Sequence, residues 1–390
     1  MKKRTHSILF ILLVYPLTLF NCSFNQEKKE SLEFIPYKID LSPEAYFKAE
    51  LPKNSLFFKE VDYVALETTE QSRIKNDYKV YASKDYIYTV AYRQILQFDR
   101  KTGKFIKEIG SYGYEIQNYT STLPNVQSTN SNEILVLNSQ GLSKINAVTN
   151  EFTKVSPRPS PFHDVAELNQ DGLISFVSGD NNKIESHLLQ FSKDGNELNQ
   201  YYLNQTNYDP SSLVLSFGFQ EGNFHSFNNE VFFKQIYNDT LYKVSEKGLS
   251  KYAYFNLGEF DIDWNKEIIQ SEIYNNIIII NTYESEAYIF FIYWYRGSIK
   301  YGVYNKANQT SYLPEHNWME DGFVDDLLGF IDFRPQSINE HNELVASFPT
   351  FEILFFLNSY GDESSIPKPL KALKMVKDGD NPVIGIATLK

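Results

Sequence analysis

Three features of the sequence predict an all-β chain built as a six-bladed β-propeller. A strand, strand, turn, strand phrase returns six times, the aromatic content suits pleated surfaces, and both ends carry strand-like segments. The phrase is plainest between Phe57 and Gly110. Tyr86, Tyr88 and Val90 alternate with Ile87, Thr89 and Ala91, Leu96 and Phe98 follow at period two, and Lys101-Thr102-Gly103-Lys104 reverses the chain before Phe105–Ile109. Asp-Arg-Lys-Thr-Gly is hairpin chemistry, with Gly103 able to take a positive φ. The chain holds 28 Tyr and 30 Phe against three Met, a choice that favours half-buried sheet surfaces over helix faces.

The 390 residues exceed the roughly 250–300 at which one hydrophobic core stops growing, so the chain must be several domains or many small cores side by side. Repetition selects the second. Lead strands start at about Asp85, Glu133, Gly172, Glu230, Ala287 and Glu343, spaced 39 to 58 residues apart, and Gly- or Asn-containing turns join the strands that follow each of them. Those turns fall at Thr149-Asn150, Lys193-Asp194-Gly195, Glu246-Lys247-Gly248 and Asn305–Asn308; the sixth copy, from Glu343 to the C-terminus, is the most degraded. Such periods signify propeller blades; two stacked β-sandwiches would use the same hairpins but need not repeat the same phrase.

A ring needs closing, and Phe57–Glu67 at one end and Pro382–Leu389 at the other supply strands for one shared blade. Before the last strand, Leu370, Leu373, Lys374 and Val376 stand at helical spacing and Asp378-Gly379-Asp380-Asn381-Pro382 ends the run, which predicts one short C-terminal helix. Ile277–Ile280 and Tyr288–Tyr295 imitate a membrane span, but Asn281, Glu284 and Glu286 divide them into two buried strands.

Residues 1–21 read as a signal: Lys2, Lys3 and Arg4 precede an apolar run from Ile8 to Phe20. The only cysteine, Cys22, follows directly, and the pattern resembles a bacterial lipoprotein signal in which Cys22 becomes the lipidated first residue. The expectation is an exported protein anchored by lipid in the cell envelope, at the outer membrane, with no disulfide available. Residues 22–54, polar and punctuated by Pro36, Pro43 and Pro52, read as a tether and a poorly regular lead-in, and residues 55–390 as the propeller. Losing the three basic residues of the signal takes the formal charge from −12 to −15, which argues against nucleic acid as a partner.

At this point the residues resemble a family. Val61–Thr69, Asp85-Tyr86-Ile87-Tyr88, Leu96–Arg100 and Gly103–Gly110 look like the first blade of the six-bladed propeller lipoproteins of Bacteroidota, and more loosely like an NHL- or TolB-like repeat. Asn317–Phe333 and Asp380–Lys390 are similar to that family's late segments. The resemblance implies fold, lipidation and export, and implies no reaction. The chain departs from it after the first blade, where Ser111–Tyr119 replaces a Gly- and Pro-rich turn.

Local catalytic signatures are absent: there is no phosphate-binding loop, HExxH, GxSxG or dinucleotide fingerprint, and the six histidines never stand three or four apart. Two constellations remain. Glu320, Asp321, Asp325 and Asp326, flanked by His316, Trp318 and Arg334, place four carboxylates in seven residues. They offer the oxygen ligands Ca²⁺ takes, with Trp318 available for stacking, although the alternating spacing of an EF-hand is missing and a solvated acidic loop is the plainer reading. His163-Asp164, after Pro157–Pro161, pairs an imidazole with a carboxylate that could orient it, and an ordinary loop pair is again the plainer reading. No cofactor is evident beyond possible Ca²⁺. The function expected is a non-enzymatic binding propeller whose ligand is a glycan, a peptide or an envelope protein. The alternative is a metal-dependent hydrolase or lyase acting at the mouth of the channel.

Overall fold

The computed structural model describes residues 35–75, 77–123, 133–157, 164–168, 172–179, 186–203, 220–266, 268, 270–314, 321–360 and 363–390. Among these, six antiparallel sheets form the blades of a propeller. The first blade is β3 (Lys79–Ala82), β4 (Tyr86–Ala91), β5 (Gln94–Asp99) and β6 (Phe105–Glu108). Next come β7 (Tyr119–Thr122) to β10 (Phe152–Ser156) and β11 (Asp164–Glu167) to β14 (Glu197–Tyr202). β15 (Gly222–Phe227) to β18 (Gly248–Asn256) and β19 (Ile278–Glu284) to β22 (Thr310–Tyr312) follow. The sixth blade joins both ends: β2 (Phe58–Ala65) pairs with β25 (Val383–Leu389), which pairs with β24 (Glu343–Phe348) and through it with β23 (Pro335–Ile338).

The six predicted lead strands are β4, β8 (Glu133–Asn138), β12 (Gly172–Val177), β16 (Glu230–Gln235), β20 (Tyr288–Tyr295) and β24, each next to the innermost strand of its blade. The innermost strands, β3, β7, β11, β15, β19 and β23, lie one position earlier, and of these only β19 was visible as an apolar run. They touch one another around the channel through side-chain to backbone bonds. Ser337 Oγ donates to Val80 O at 2.7 Å, Asn223 Nδ2 to Ile280 O at 3.2 Å, and the Phe224 N–H to Asp164 at 2.9 Å.

Apolar cores lie between neighbouring blades. Ile87, Leu96 and Phe98 of the first blade meet Val345, Ile384 and Ile386 of the closing blade, all nearly or wholly buried; burying each such side chain contributes about 1.5–3 kcal/mol. Arg100 bolts the same seam, donating from Nη1 and Nη2 to the two oxygens of Glu343 at 2.7 Å each and to Ser83 O at 2.9 Å. The Asp99–Lys104 turn is as the residues predict: Gly103 has φ +67°, and a Cβ there would stand 1.9 Å from Ala65 O. That second fact ties the turn of the first blade to the first strand of the last.

The strand predicted at Phe57–Glu67 joins the closing blade as expected, because β2 finds its partner in β25. Two regions differ from the sequence reading. The lead-in is partly regular: β1 (Tyr37–Asp40) lies parallel to β18 and makes a fifth strand, its Ile39 and the following Leu41 both fully buried against Phe232, Leu241 and Phe255. Alternation across a strand explains this, since Ile39 points into the seam while Lys38 and Asp40 face water. The short C-terminal helix is a 3₁₀ helix, Lys368–Met375, that buries Leu370 and Leu373, and an α-helix the periodicity did not announce, Thr350–Ser359, precedes it. FEILFFLNS is apolar on nearly every side, so it carries no amphipathic signature to read. No helix among the described residues is long and apolar enough to cross a membrane.

Candidate functional site

In each blade the chain passes from the innermost strand outward to the next, and the C-terminal ends of the innermost strands gather at one face of the ring. There they border a cavity of about 910 Å³ to which each blade contributes: Tyr81, Glu133, Glu167, His225, Glu284 and Asn339 stand for the six in order. Loops and strand ends at such a convergence are where a rigid scaffold offers a site.

The most constrained chemistry in the wall is a pair from the fourth and fifth blades. In β15, alternation sends Phe224 into the apolar seam with Phe176 and Phe233 and sends His225 the other way, towards β19. The His225 ring stacks on Phe232, centroids 5.1 Å apart and 14° from parallel, and its Nδ1 lies 3.2 Å from Thr282 Oγ1. Glu284, the last residue of β19, is 1% exposed. Its Oε1 accepts from the Tyr252 hydroxyl and pairs with the Lys306 ammonium. Lys306 is held in place by donating to Ser285 O at 2.7 Å and by lying 4.7 Å from the centre of the Phe227 ring. Burial would push the Glu284 carboxyl up, but His225 and Lys306 outweigh it and hold the group below its ordinary range. The Tyr252 phenol is raised, by burial first and then by the neighbouring carboxylate. Glu284 Oε2 and His225 Nε2 are 3.6 Å apart, a little beyond a hydrogen bond, and neither has a hydrogen-bond partner among the described residues.

A second charged group stands across the ring. Lys144 pairs with Glu167 at 2.9 Å and Glu133 at 3.2 Å, joining the second and third blades. Burial disfavours its charge, yet the two carboxylates prevail and raise its pKa.

The residues singled out from sequence lie elsewhere. Asp164 opens β11, fully buried, and accepts from the Val165 and Phe224 N–H groups at 3.0 and 2.9 Å, a strut between the third and fourth blades. Asp325 is buried at the centre of its own loop, accepting from the N–H groups of Leu327, Leu328 and Phe330 at 3.1–3.2 Å and from the Tyr63 hydroxyl at 3.4 Å. Asp326 accepts from the Ser55 N–H at 2.8 Å and from the Ser55 hydroxyl. Burial raises the Asp321 carboxyl, with Arg334 and Lys300 partly opposing, and Arg334 itself pairs with Glu352. This loop leads into the first residue of β23, at the opposite end of the strand from the cavity, so the structure does not bring it together with the channel mouth. Cys22, His163, His316, Trp318 and Glu320 lie outside the described residues. Among the described residues no three His, Cys, Asp or Glu side chains are grouped so as to hold a metal ion.

Sequence reasoning passed over His225, Glu284, Lys306 and Lys144. One signal was available: Glu284 ends an apolar strand, Ile278–Glu284, that is buried along its whole length, and a carboxylate in such a place needs a cationic partner brought from elsewhere in the fold.

Among solved structures, an exported-protein candidate of Bacteroides fragilis matches 90% of this chain and 99% of its own, with a TM-score of 0.65 at 15% identity. A Bacteroides thetaiotaomicron protein of unknown function matches 84% of this chain and 76% of its own, with a TM-score of 0.39 at 8% identity. The first likeness is one of fold. No protein with a curated description matches the chain. The family model that does match, a domain of unknown function (DUF4934), spans residues 36–388, and the chain therefore belongs to that family.

Proposed function

We propose that the protein is an exported lipoprotein of the cell envelope whose propeller binds a ligand at the channel mouth. The observation that carries the binding role is the cavity itself, about 910 Å³ and walled by all six blades, a size and position typical of small-molecule sites. Export and anchoring rest on Lys2-Lys3-Arg4, the apolar run that follows and Cys22, and the fold neighbour from B. fragilis is itself described as exported. The ring supplies a rigid frame, and its strand ends supply the contacts.

Two experiments test this. Thermal unfolding of the detergent-solubilised full chain, run against millimolar neutral trisaccharides, spermidine, citrate and a neutral tripeptide, should show stabilisation by at least one class. At a hundredfold excess over Kd the gain is about 2.7 kcal/mol. Ser226→Trp, which places a bulky ring at an exposed position of the mouth, should remove it; a gain that survives would put the ligand elsewhere. Metabolic labelling with a fatty-acid analogue should tag the wild type and not Cys22→Ser, and equal tagging of both would end the lipoprotein reading.

A further inference from the structure

We infer that the closing blade docks on a bilayer containing anionic phospholipid, at its end away from the mouth, through Phe351, Phe355 and Met375 and a row of lysines. This adds to the lipoprotein reading a second membrane contact, made by the folded chain itself, and the two can fail separately. Its first support is an insertion. Between the second and third strands counted from the channel, the other five blades have connections of two to nine residues, whereas the closing blade has residues 349–382, 34 in all, between β24 and β25. β24 runs antiparallel to β23, so the insertion leaves from the end opposite the mouth.

The insertion is firmly anchored and still leaves apolar groups in water. Ile353 and Leu357 of the α-helix Thr350–Ser359, with Leu370, Leu373 and Val376 further on, enter the core of the closing blade beside Phe348 and Val383. Elsewhere on that helix Phe351 and Phe355 stand one turn apart at 62% and 79% exposure, and Met375 ends the 3₁₀ helix at 84%. A helix apolar on nearly every side belongs in a core or against lipid, and a surface that faces water seldom groups such residues.

The second support is charge. A 3₁₀ helix has three residues per turn, so Lys-Pro-Leu-Lys-Ala-Leu-Lys-Met aligns Lys368, Lys371 and Lys374 in one exposed row and Leu370 and Leu373 in the buried one. Lys377 follows, and Arg73 joins the same segment by donating to Gly379 O at 3.0 Å. Among the described residues, these five cations meet three carboxylates of the segment, Glu363, Asp378 and Asp380, the last of which accepts from the Lys377 N–H at 2.8 Å. The helix's own Glu352 is paired with Arg334. A positive excess in a chain of net charge −12 complements anionic headgroups, and Phe and Lys side by side are what an interfacial helix presents to a bilayer. Docked in this way, the ring holds its mouth away from the membrane.

Residues 35–390 form a compact unit of their own, so this segment, free of signal and lipid, can be sedimented with vesicles of phosphatidylcholine alone or with about a third phosphatidylglycerol. It should bind the mixed vesicles about tenfold more tightly than the neutral ones, and less tightly as salt is raised. Phe351→Ser with Phe355→Ser, and separately Lys368→Gln with Lys371→Gln, should each weaken binding about tenfold or more. All four side chains are exposed, so thermal melts matching the wild type should show the fold intact. Should either pair unfold the protein, Met375→Ser carries the test, with an expected loss of about threefold. Absence of binding to mixed vesicles, equal binding by the variants, or equal affinity for the two vesicle types overturns the inference. So does a concentration-dependent dimer that Phe351→Ser with Phe355→Ser abolishes, which would give this surface to a second copy of the chain. None of these outcomes bears on Cys22, whose labelling tests the anchor.

Discussion

Arg100→Ala would strand the Glu343 carboxylate, 12% exposed, in the seam between the first and closing blades with, among the described residues, Asn339 Nδ2 still donating to it at 2.7 Å. The loss should be about 2 kcal/mol, a fall of about 3 °C in Tm for a chain of this size, because two charge-assisted bonds and a backbone contact go together. A calorimetric Tm unchanged from wild type would show that the pair does not hold the seam. Asp239 predicts a pH effect of definite sign. Burial, then the neighbouring Asp261, pushes its carboxyl up to about 7, with Lys234 opposing, well above the unfolded value of about 3.9. A folded pKa above the unfolded one gives stability that is complete below about pH 4 and lost as pH rises to about 7. Asp239→Asn should therefore gain on the wild type by a few degrees in Tm between pH 4.5 and pH 7.5, and a difference independent of pH would refute the assignment. Neither residue announced itself in the sequence, and the candidate site was no more legible. His225, Glu284 and Lys306 are separated by whole strands, and only the ring brings an imidazole, a carboxylate and an ammonium to one point. Asp325 and Asp326 attracted notice because acidic residues crowd a short stretch, and Asp164 because it follows His163, whereas folding commits their oxygens largely to backbone N–H groups.

The elements were legible in proportion to how apolar and regular they are. The second and third strands of each blade have both faces packed against neighbouring blades, so β4 and β5, with Ile87, Leu96 and Phe98 fully buried, stand out by alternation and aromatic content. The innermost strands are often four residues long and mix in polar side chains that face the channel or a neighbouring backbone, as in Tyr119-Thr120-Ser121-Thr122 and Pro335-Gln336-Ser337-Ile338, and no period survives in so short a stretch. β1 was hidden for another reason. Tyr37-Lys38-Ile39-Asp40 does alternate, but Pro36 and Pro43 around it argue for an irregular chain. Its weight can be measured: Ile39→Asp would drive a charge among Phe232, Leu241 and Phe255, costing about 3–5 kcal/mol or releasing the strand altogether. Limited proteolysis should then cut between residues 35 and 57 where the wild type resists, and equal resistance would mean that β1 is an ornament on β18.

On the scale of the whole molecule, the number of blades was available from the sixfold repeat, and the way they close from the end segments, because Phe57–Glu67 and Pro382–Leu389 are strands with no partner nearby in the chain. The structure puts β25 between β2 and β24, so it is an interior strand of its blade. Deleting Pro382–Lys390 would leave β2 and β24 with facing rows of unpaired N–H and C=O groups and open the seams that Ile384, Ile386 and Ala387 fill. Insoluble or rapidly degraded protein is expected, and a truncated form that melts at the wild-type temperature would contradict it. The same ladder fixes a timetable. Val61 and Ala387 are paired yet stand about 320 residues apart, and at about 5–20 residues per second of synthesis the edge of β2 waits about 15–60 s for its neighbour to exist. Throughout that interval the nascent chain is a row of blades with two free flanks, and it becomes a ring only after β25 has been made.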